Sequence, residues 1–330
     1  MIRYISLALA VAASTATLPA YAQATSTSSG QAWPAKPIRM ILPVPPGGTS
    51  DILARMIGQK LTEAWGQQII IDSRPGANGA IGVDILARSP PDGYTLCLMD
   101  VGNLSISPSM YSKLPFDILR DLTPITLVSY SPHLVTVHPS VPVKNVQELI
   151  ALAKKNPDKL NFPVALGSSV HLAGLSLQQR TGAKWVYVPT KGGSSSILTV
   201  ATGEGDLLFM GMLQTLPHVK SGRLKLVAVS SQKRDAALPD VPTVAETPGL
   251  DGFFTGSWQG ILGPAKIPPE IVNKINAEVR RALAQPDIRE KLATQGTTPM
   301  PTTPQEMGKW LAAEKDRWAK VVKDSGYKIE

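Results

Sequence analysis

The segment Pro43-Val44-Pro45-Pro46-Gly47-Gly48-Thr49-Ser50-Asp51 separates two runs that cannot be the same kind of element. Before it, Ile38 to Leu42 is a short apolar run of strand length; after it, Ile52, Leu53, Met56, Ile57 and Leu61 recur at helical spacing. The order is therefore strand, glycine turn, helix. Two glycines let the backbone approach a ligand without Cβ atoms in the way, and Thr49, Ser50 and Asp51 are residue types that cap a helix. The unbonded N–H groups and dipole at such a helix start attract an anion. Taken alone, the segment is more simply an ordinary capped turn.

A second copy reverses that balance. Gln68 to Ile71 reads as another strand, and Asp72-Ser73-Arg74-Pro75-Gly76-Ala77-Asn78-Gly79-Ala80 leads into a helical pattern with Ile81, Ile85 and Leu86. In an open α/β sheet, ligands bind beyond the carboxyl ends of the strands, so two successive turns can face one small anion. Neither turn carries a catalytic group with a partner, which points to binding without chemistry.

The N-terminus has the pattern of a secretory signal: Met1-Ile2-Arg3, an apolar stretch from Ile5 to Ala13, and the small-x-small site Ala20-Tyr21-Ala22. We expect cleavage after Ala22, leaving residues 1–22 as signal and 23–32, rich in Ser and Thr, as a disordered linker. The intact mass of exported protein is expected to lack Met1 to Ala22, and a mass that still includes them would refute the assignment. No later segment reaches the roughly 20 apolar residues of a membrane span. Cys97 is the only cysteine and sits inside an apolar run, so neither an internal disulfide nor lipid attachment at the cleavage point is available to it.

The net charge of +8 raises the question of nucleic acid, but Lys and Arg occur at most in pairs such as Lys154-Lys155, with no aromatic interleaved. Strand-like and helix-like runs alternate from Trp33, and strands are expected at Tyr94 to Met99, Leu122 to Val128, His133 to Val137, Lys184 to Val188, Leu207 to Phe209, Lys225 to Val229 and Ser257 to Leu262. This is an α/β protein expected to be built on parallel sheets. The last seventy residues are helical only, with Pro268-Pro269, Pro286 and Pro304 at helix starts. Such a tail needs a sheet to cover, and the first sheet is the natural one. The expected organisation is a discontinuous first lobe, 33–131 and 252–330, a second lobe, 132–251, and a hinge of two crossings with the ligand cleft between the lobes.

Several segments together resemble the Bug receptors, the extracytoplasmic solute receptors of tripartite tricarboxylate transporters, also called the TctC family. They are Trp33-Pro34-Ala35-Lys36-Pro37-Ile38-Arg39, the two glycine turns, Pro91-Asp92-Gly93-Tyr94-Thr95-Leu96, Leu114-Pro115-Phe116-Asp117, His138-Pro139-Ser140-Val141-Pro142, His171-Leu172-Ala173-Gly174 and Leu238-Pro239-Asp240-Val241-Pro242-Thr243. The resemblance implies a type II periplasmic binding fold of two α/β lobes. It implies a monomeric periplasmic receptor, without cofactor or metal, that delivers a dicarboxylate, amino acid or aromatic acid to membrane transporter subunits or a sensor kinase. Carried over by position, the ligand-binding residues are Pro46, Gly47, Gly48, Thr49, Asn78 and Gly79, then Asp100, Gly102 and Asn103, and from the second lobe Ser168, Ser169, His171, Thr190, Lys191 and Gly192.

The chain departs from the family pattern at Asp100, where a small hydroxylated residue or glycine is usual, and at Thr190, where tyrosine is common. Asn161 to Gly167 is more apolar than the corresponding loop, and Met210 stands near a usual acid. An acid beside two anion-binding turns needs an offset: a donor on the ligand, a role as helix cap through Asn103, or a proton of its own. The rival to a receptor is a secreted enzyme acting on a small acid. That needs a nucleophile with a base, a metal set or a cofactor loop, and none is legible. Lys191-Gly192-Gly193-Ser194 has phosphate-loop residues in the wrong order, no Gly-x-Ser-x-Gly occurs, and His133, His138, His171 and His218 lack metal-ligand spacing. Trp258 is expected in the core.

Overall fold

A computed structural model describes residues 33–325, so the expected signal 1–22 and linker 23–32 lie outside the described residues. The first elements are β1 (Ile38–Leu42), α1 (Thr49–Trp65), β2 (Ile69–Ser73), α2 (Ala80–Ala87), β3 (Thr95–Asp100) and α3 (Val101–Met110). A long strand β4 (Leu122–Val137) leads to α4 (Val146–Lys155), β5 (Asn161–Val164), α5 (Ser169–Thr181), β6 (Val186–Pro189), α6 (Gly193–Ala201), β7 (Leu207–Gly211), α7 (Met212–Lys220) and β8 (Lys225–Val229). The chain returns through β9 (Gly256–Pro264) and ends in α8 (Pro269–Ala284), α9 (Pro286–Ala293), the short β10 (Thr298–Pro299) and α10 (Pro304–Ser325).

The two strands expected at 122–128 and 133–137 are one strand of 16 residues. Its first part pairs with β9 as far as Pro132↔Gly256, and from His133 on it pairs with β7 and β8. Proline cannot donate to a ladder, and Pro132 falls where the ladder changes partners, so the strand continues through it. The sheet is also not purely parallel. β2, β1 and β3 run parallel, but β9 lies antiparallel between β3 and β4. A strand that leaves and a strand that returns beside it must run in opposite directions, and this replaces the expectation of parallel sheets. Asn161 to Val164 forms β5, parallel to β6, with Phe162 and Val164 fully buried.

Each half has its own apolar core. Around β1 and β3, one face of the sheet packs against Leu53, Ile57 and Leu61 of α1 and Ile275, Val279 and Leu283 of α8. The other face packs against Val83 and Leu86 of α2, Leu104 of α3 and Met307 and Leu311 of α10. The helical tail thus covers the first sheet. Burying each such Leu, Ile or Val is worth about 1.5–3 kcal/mol, which explains why a helix as polar outside as α8 is fixed in place. The second core holds Val135, Val137, Phe162, Trp185 and Phe209. Cys97 is a buried free thiol on β3, pushed up in pKa by that burial. Trp258 packs in the core between Tyr130 and Trp310, with ring centroids 4.4 and 5.4 Å away. Among the described residues no helix is long and apolar enough to cross a membrane.

Candidate ligand-binding site

The β1–α1 turn has the order expected from the sequence, but its caps differ. Gly47 needs its φ of +82°, and Gly48, in an extended conformation, is the N-cap; no side chain caps α1. Thr49, Ser50 and Asp51 are instead its first turn. Asp51 reaches back, and its Oδ2 accepts the Gly47 N–H at 3.0 Å. Ser50 donates to Gln259 on β9 at 2.7 Å, while the Thr49 hydroxyl is buried with no hydrogen-bond partner. The first helical hydrogen bond is Ile52 N–H to Gly48 C=O, so the N–H groups of Thr49 and Ser50 remain outside the helix ladder.

In the β2–α2 turn, Asn78 and Gly79 are left-handed, and the Asn78 amide donates to the Gly167 carbonyl at 3.0 Å. That bond crosses from the first half of the molecule to the second. Two more do the same: Ser169 N–H donates to Asn103 Oδ1 at 2.8 Å, and the Ser194 hydroxyl donates to the Pro46 carbonyl at 3.2 Å. At Gly192 a Cβ would come within 3.1 Å of Pro45 Cδ, so the close approach of the two walls needs glycine there. No side chain caps α6, whose N-cap is Gly192. The starts of α1 and α6 therefore meet from opposite walls of one cavity of about 610 Å³.

Asp100 is the N-cap of α3. Its Oδ1 accepts from Gly102 N–H at 2.8 Å and Asn103 N–H at 3.4 Å, and the Ser257 hydroxyl and the Trp258 N–H also bond to this carboxyl. The bonds from Gly102 and Asn103 both go to Oδ1, from the two N–H groups that a helix N-cap satisfies. Burial pushes its pKa up to about 6 even against the pull of those donors. Of the three offsets open in the sequence, capping is the one the side chain makes. Asp100 nevertheless forms part of the cavity wall.

The other expected site residues line the cavity except for three. Gly47 and Gly102 do not line it, and their N–H groups are bonded to Asp51 and Asp100. His171 is fully buried; its Nδ1 accepts from Gly167 N–H at 3.1 Å and its ring stands edge-on to Tyr187 at 4.5 Å. Burial lowers it to about 4, so it is neutral at ordinary pH. Ser168 caps α5 by accepting His171 N–H, and Thr190 is bonded to Ser196 at 2.7 Å. The wall also contains Met99, Gln214, Ser257 and Gln259, which sequence reasoning did not select, and Met210, which it noted only as standing near a usual acid. Met210 and Gln214 flank Gly211, a further strand-to-helix glycine turn that could have been noticed. Ser257 and Gln259 alternate with core residues on a strand that reads as buried, so nothing in their spacing marks them.

At the cavity wall, Ser257 Oγ lies 3.3 Å from His133 Nε2. His133 is fully buried, its other nitrogen bonds to Thr255 rather than to a carboxylate, and burial lowers it to about 3. Such an imidazole is a poor base at neutral pH. Among the described residues no cluster of three His, Cys, Asp or Glu is placed to hold a metal ion.

A family model described as tripartite tricarboxylate transporter family receptor matches residues 53–327. The chain is similar to BugT of Bordetella pertussis, 34% identical over 304 residues covering 92% of this chain and 93% of that protein. Among solved structures it is similar to a protein of R. palustris with adipate, at 34% identity, a TM-score of 0.86 and coverage of 89% and 98%. It is also similar to MatC of Rhodopseudomonas palustris with bound malate, at 29% identity, a TM-score of 0.82 and coverage of 88% and 100%. Two glycine turns, a cavity between two halves and agreement along nearly the whole length lead to one assignment: the chain belongs to the tripartite tricarboxylate transporter receptor family.

Proposed function

We propose that the protein is a periplasmic receptor that binds a small carboxylic acid in this cavity and presents it to membrane transporter subunits or a sensor kinase, acting as a monomer and without catalysis. The observation that carries the reading is the meeting of two helix starts, α1 at Gly48 and α6 at Gly192, with no side-chain cap on either. Unbonded N–H groups and two aligned dipoles favour a carboxylate there, and a ligand held by both halves keeps them closed. The adipate and malate in the neighbouring structures agree with an acid in this place. In the same reading the first lobe is 33–131 with 252–330 and the second is 132–251, with the return crossing drawn toward Thr255 because Phe253 packs in the second core.

Calorimetry of ligand-stripped protein against a panel of free acids and their methyl esters tests this. At least one free acid is expected to bind at least about a hundredfold more tightly than its ester, since the ester loses charge-assisted hydrogen bonds worth about 3 kcal/mol or more. Equal affinity for acid and ester would sink the reading.

A further inference from the structure

Resting on the carboxylate reading above, we propose that the ligand carries one carboxylate on an uncharged, largely apolar body, and that Asp100 is the residue that turns away a second anionic group. The polar groups of the cavity are arranged for one negative charge. The starts of α1 and α6 offer about half a charge each, and the start of α2 behind Gly79, also without a side-chain cap, offers a third half. The start of α3 is already used by Asp100, and that of α5 by Ser168 and Asn103. The start of α7 at Gly211, also without a side-chain cap, adds to these, while Asp51 in the first turn of α1 and Asp100, which keeps about half of its charge after its own helix start is counted, subtract from them. Lys191 is the one cation in the wall among the described residues, and it is exposed, where water and salt screen it.

The place for that single anion is marked by side chains that lack partners. Thr49 is 6% exposed and its hydroxyl, free to donate, is unbonded; Gln214 Oε1 is also buried and unbonded, and it is the amide turned over, with Nε2 in that position, that donates to an anion. The Gln214 amide lies between the two helix starts, for its Oε1 is 3.5 Å from a Cβ built on Gly48 and its Nε2 is 2.7 Å from one built on Gly193. Asp100 belongs to the floor beside it, since Gln259, which Ser50 contacts, is its partner across the β3–β9 ladder.

The rest of the wall suits hydrocarbon. Val44, Met99, Leu166, Val170 and Met210 line it together with prolines of the first turn. At about 610 Å³ the cavity is in the range that takes drug-sized ligands, about 300–1,000 Å³, and a four-carbon hydroxy acid would leave much of it to water. A second carboxylate placed among these groups would find only the exposed, screened Lys191 and would face Asp100. The ligand would thus differ in charge from the adipate and malate in the neighbouring structures.

The test strips the full-length mature protein of ligand and incubates it at pH 7.5 with an equimolar pool of mono- and dicarboxylic acids, aliphatic and aromatic, of four to ten carbons. Bound acids are extracted and methylated, and mass spectrometry counts the carboxyls. Monocarboxylates are expected to be enriched at least about tenfold over dicarboxylates of equal length, and Asp100→Asn, which keeps a capping residue, is expected to bring that ratio to near one. Equal or preferential retention of dicarboxylates by the wild type overturns the proposal, as does a ratio unchanged in Asp100→Asn. Retention of no acid at all would instead fail the carboxylate reading itself.

Discussion

Gly48→Val is expected to reduce carboxylate affinity by about a hundredfold or more while leaving the protein folded. Gly48 has φ −84° and ψ 175°, an extended conformation that valine adopts readily, so the backbone does not oppose the change. A Cβ there would make ordinary contact, 3.5 Å from Gln214 Oε1 and 4.0 Å from Ser194 Oγ. Those atoms belong to the opposite wall, so the valine methyls would fill the gap where the two helix starts meet and hold the walls apart. Loss of two charge-assisted hydrogen bonds at about 1.5–3 kcal/mol each corresponds to a factor of at least a hundred. Calorimetry reads the affinity, and the thermal midpoint reads the fold. Unchanged affinity would place the anion elsewhere. Gly79→Val is a less clean test than the sequence suggests, because φ at Gly79 is +95° and a branched side chain there strains the backbone itself.

A second large effect concerns acid. His133 and Asp100 are both buried and both bond to the Ser257 hydroxyl, yet their linkages to stability have opposite signs. His133 is lowered from 6.5 to about 3, so the unfolded chain takes up a proton that the folded one refuses, and stability present above pH 6.5 is lost as pH falls toward 3. Asp100 is raised from 3.8 to about 6, so the folded chain keeps a proton that the unfolded one releases, and stability present below 3.8 is lost as pH rises through 6. Each slope is about 1.4 kcal/mol per pH unit, and between pH 4 and 6 the two nearly cancel. Asp100→Asn is therefore expected to lose roughly 3 kcal/mol of stability from pH 6 to pH 4, and His133→Gln to gain about as much, relative to the wild type. Denaturant unfolding followed by tryptophan fluorescence at pH 4, 5 and 6 gives these slopes. Parallel slopes in all three proteins would show that neither group titrates as its burial requires.

The features legible in the sequence were those with a local cause. Apolar periodicity on either side of Gly47-Gly48 and of Gly76 to Gly79 located two strands, two helices and the turns that face the cavity. What escaped depended on partners far along the chain. Nothing near Pro132 indicates that β4 continues, because the reason is that β9 and then β7 and β8 are there to pair with it. α3 was legible only as a helix start that Asp100 could cap, because Gly102, Ser105, Ser107 and Pro108 are weak helix formers, and the helix is held by Asp100 and by its packing on α10. Asp100 was recognised as unusual, but its four donors come from α3 and from β9, and β9 lies more than 150 residues away. Gln214 and Gln259 were not marked at all, since a glutamine in a wall looks like any surface glutamine until its neighbours are known.

The ladder between β4 and β9 has a consequence for how the protein is put together. Ser131 and Ser257 are paired residues, so the chain leaves the first sheet and re-enters it at two points about 5 Å apart. Seen from that sheet, everything between them is one long hairpin loop with its ends already pinned side by side. The excursion carries its own core, and the first sheet retains every hydrogen bond between β4 and β9 up to this point without it. In the proposed lobe division, a tight turn joining the two positions would leave the β4–β9 ladder of the first half intact, while β7 and β8 would lose the continuation of β4 on which they pair.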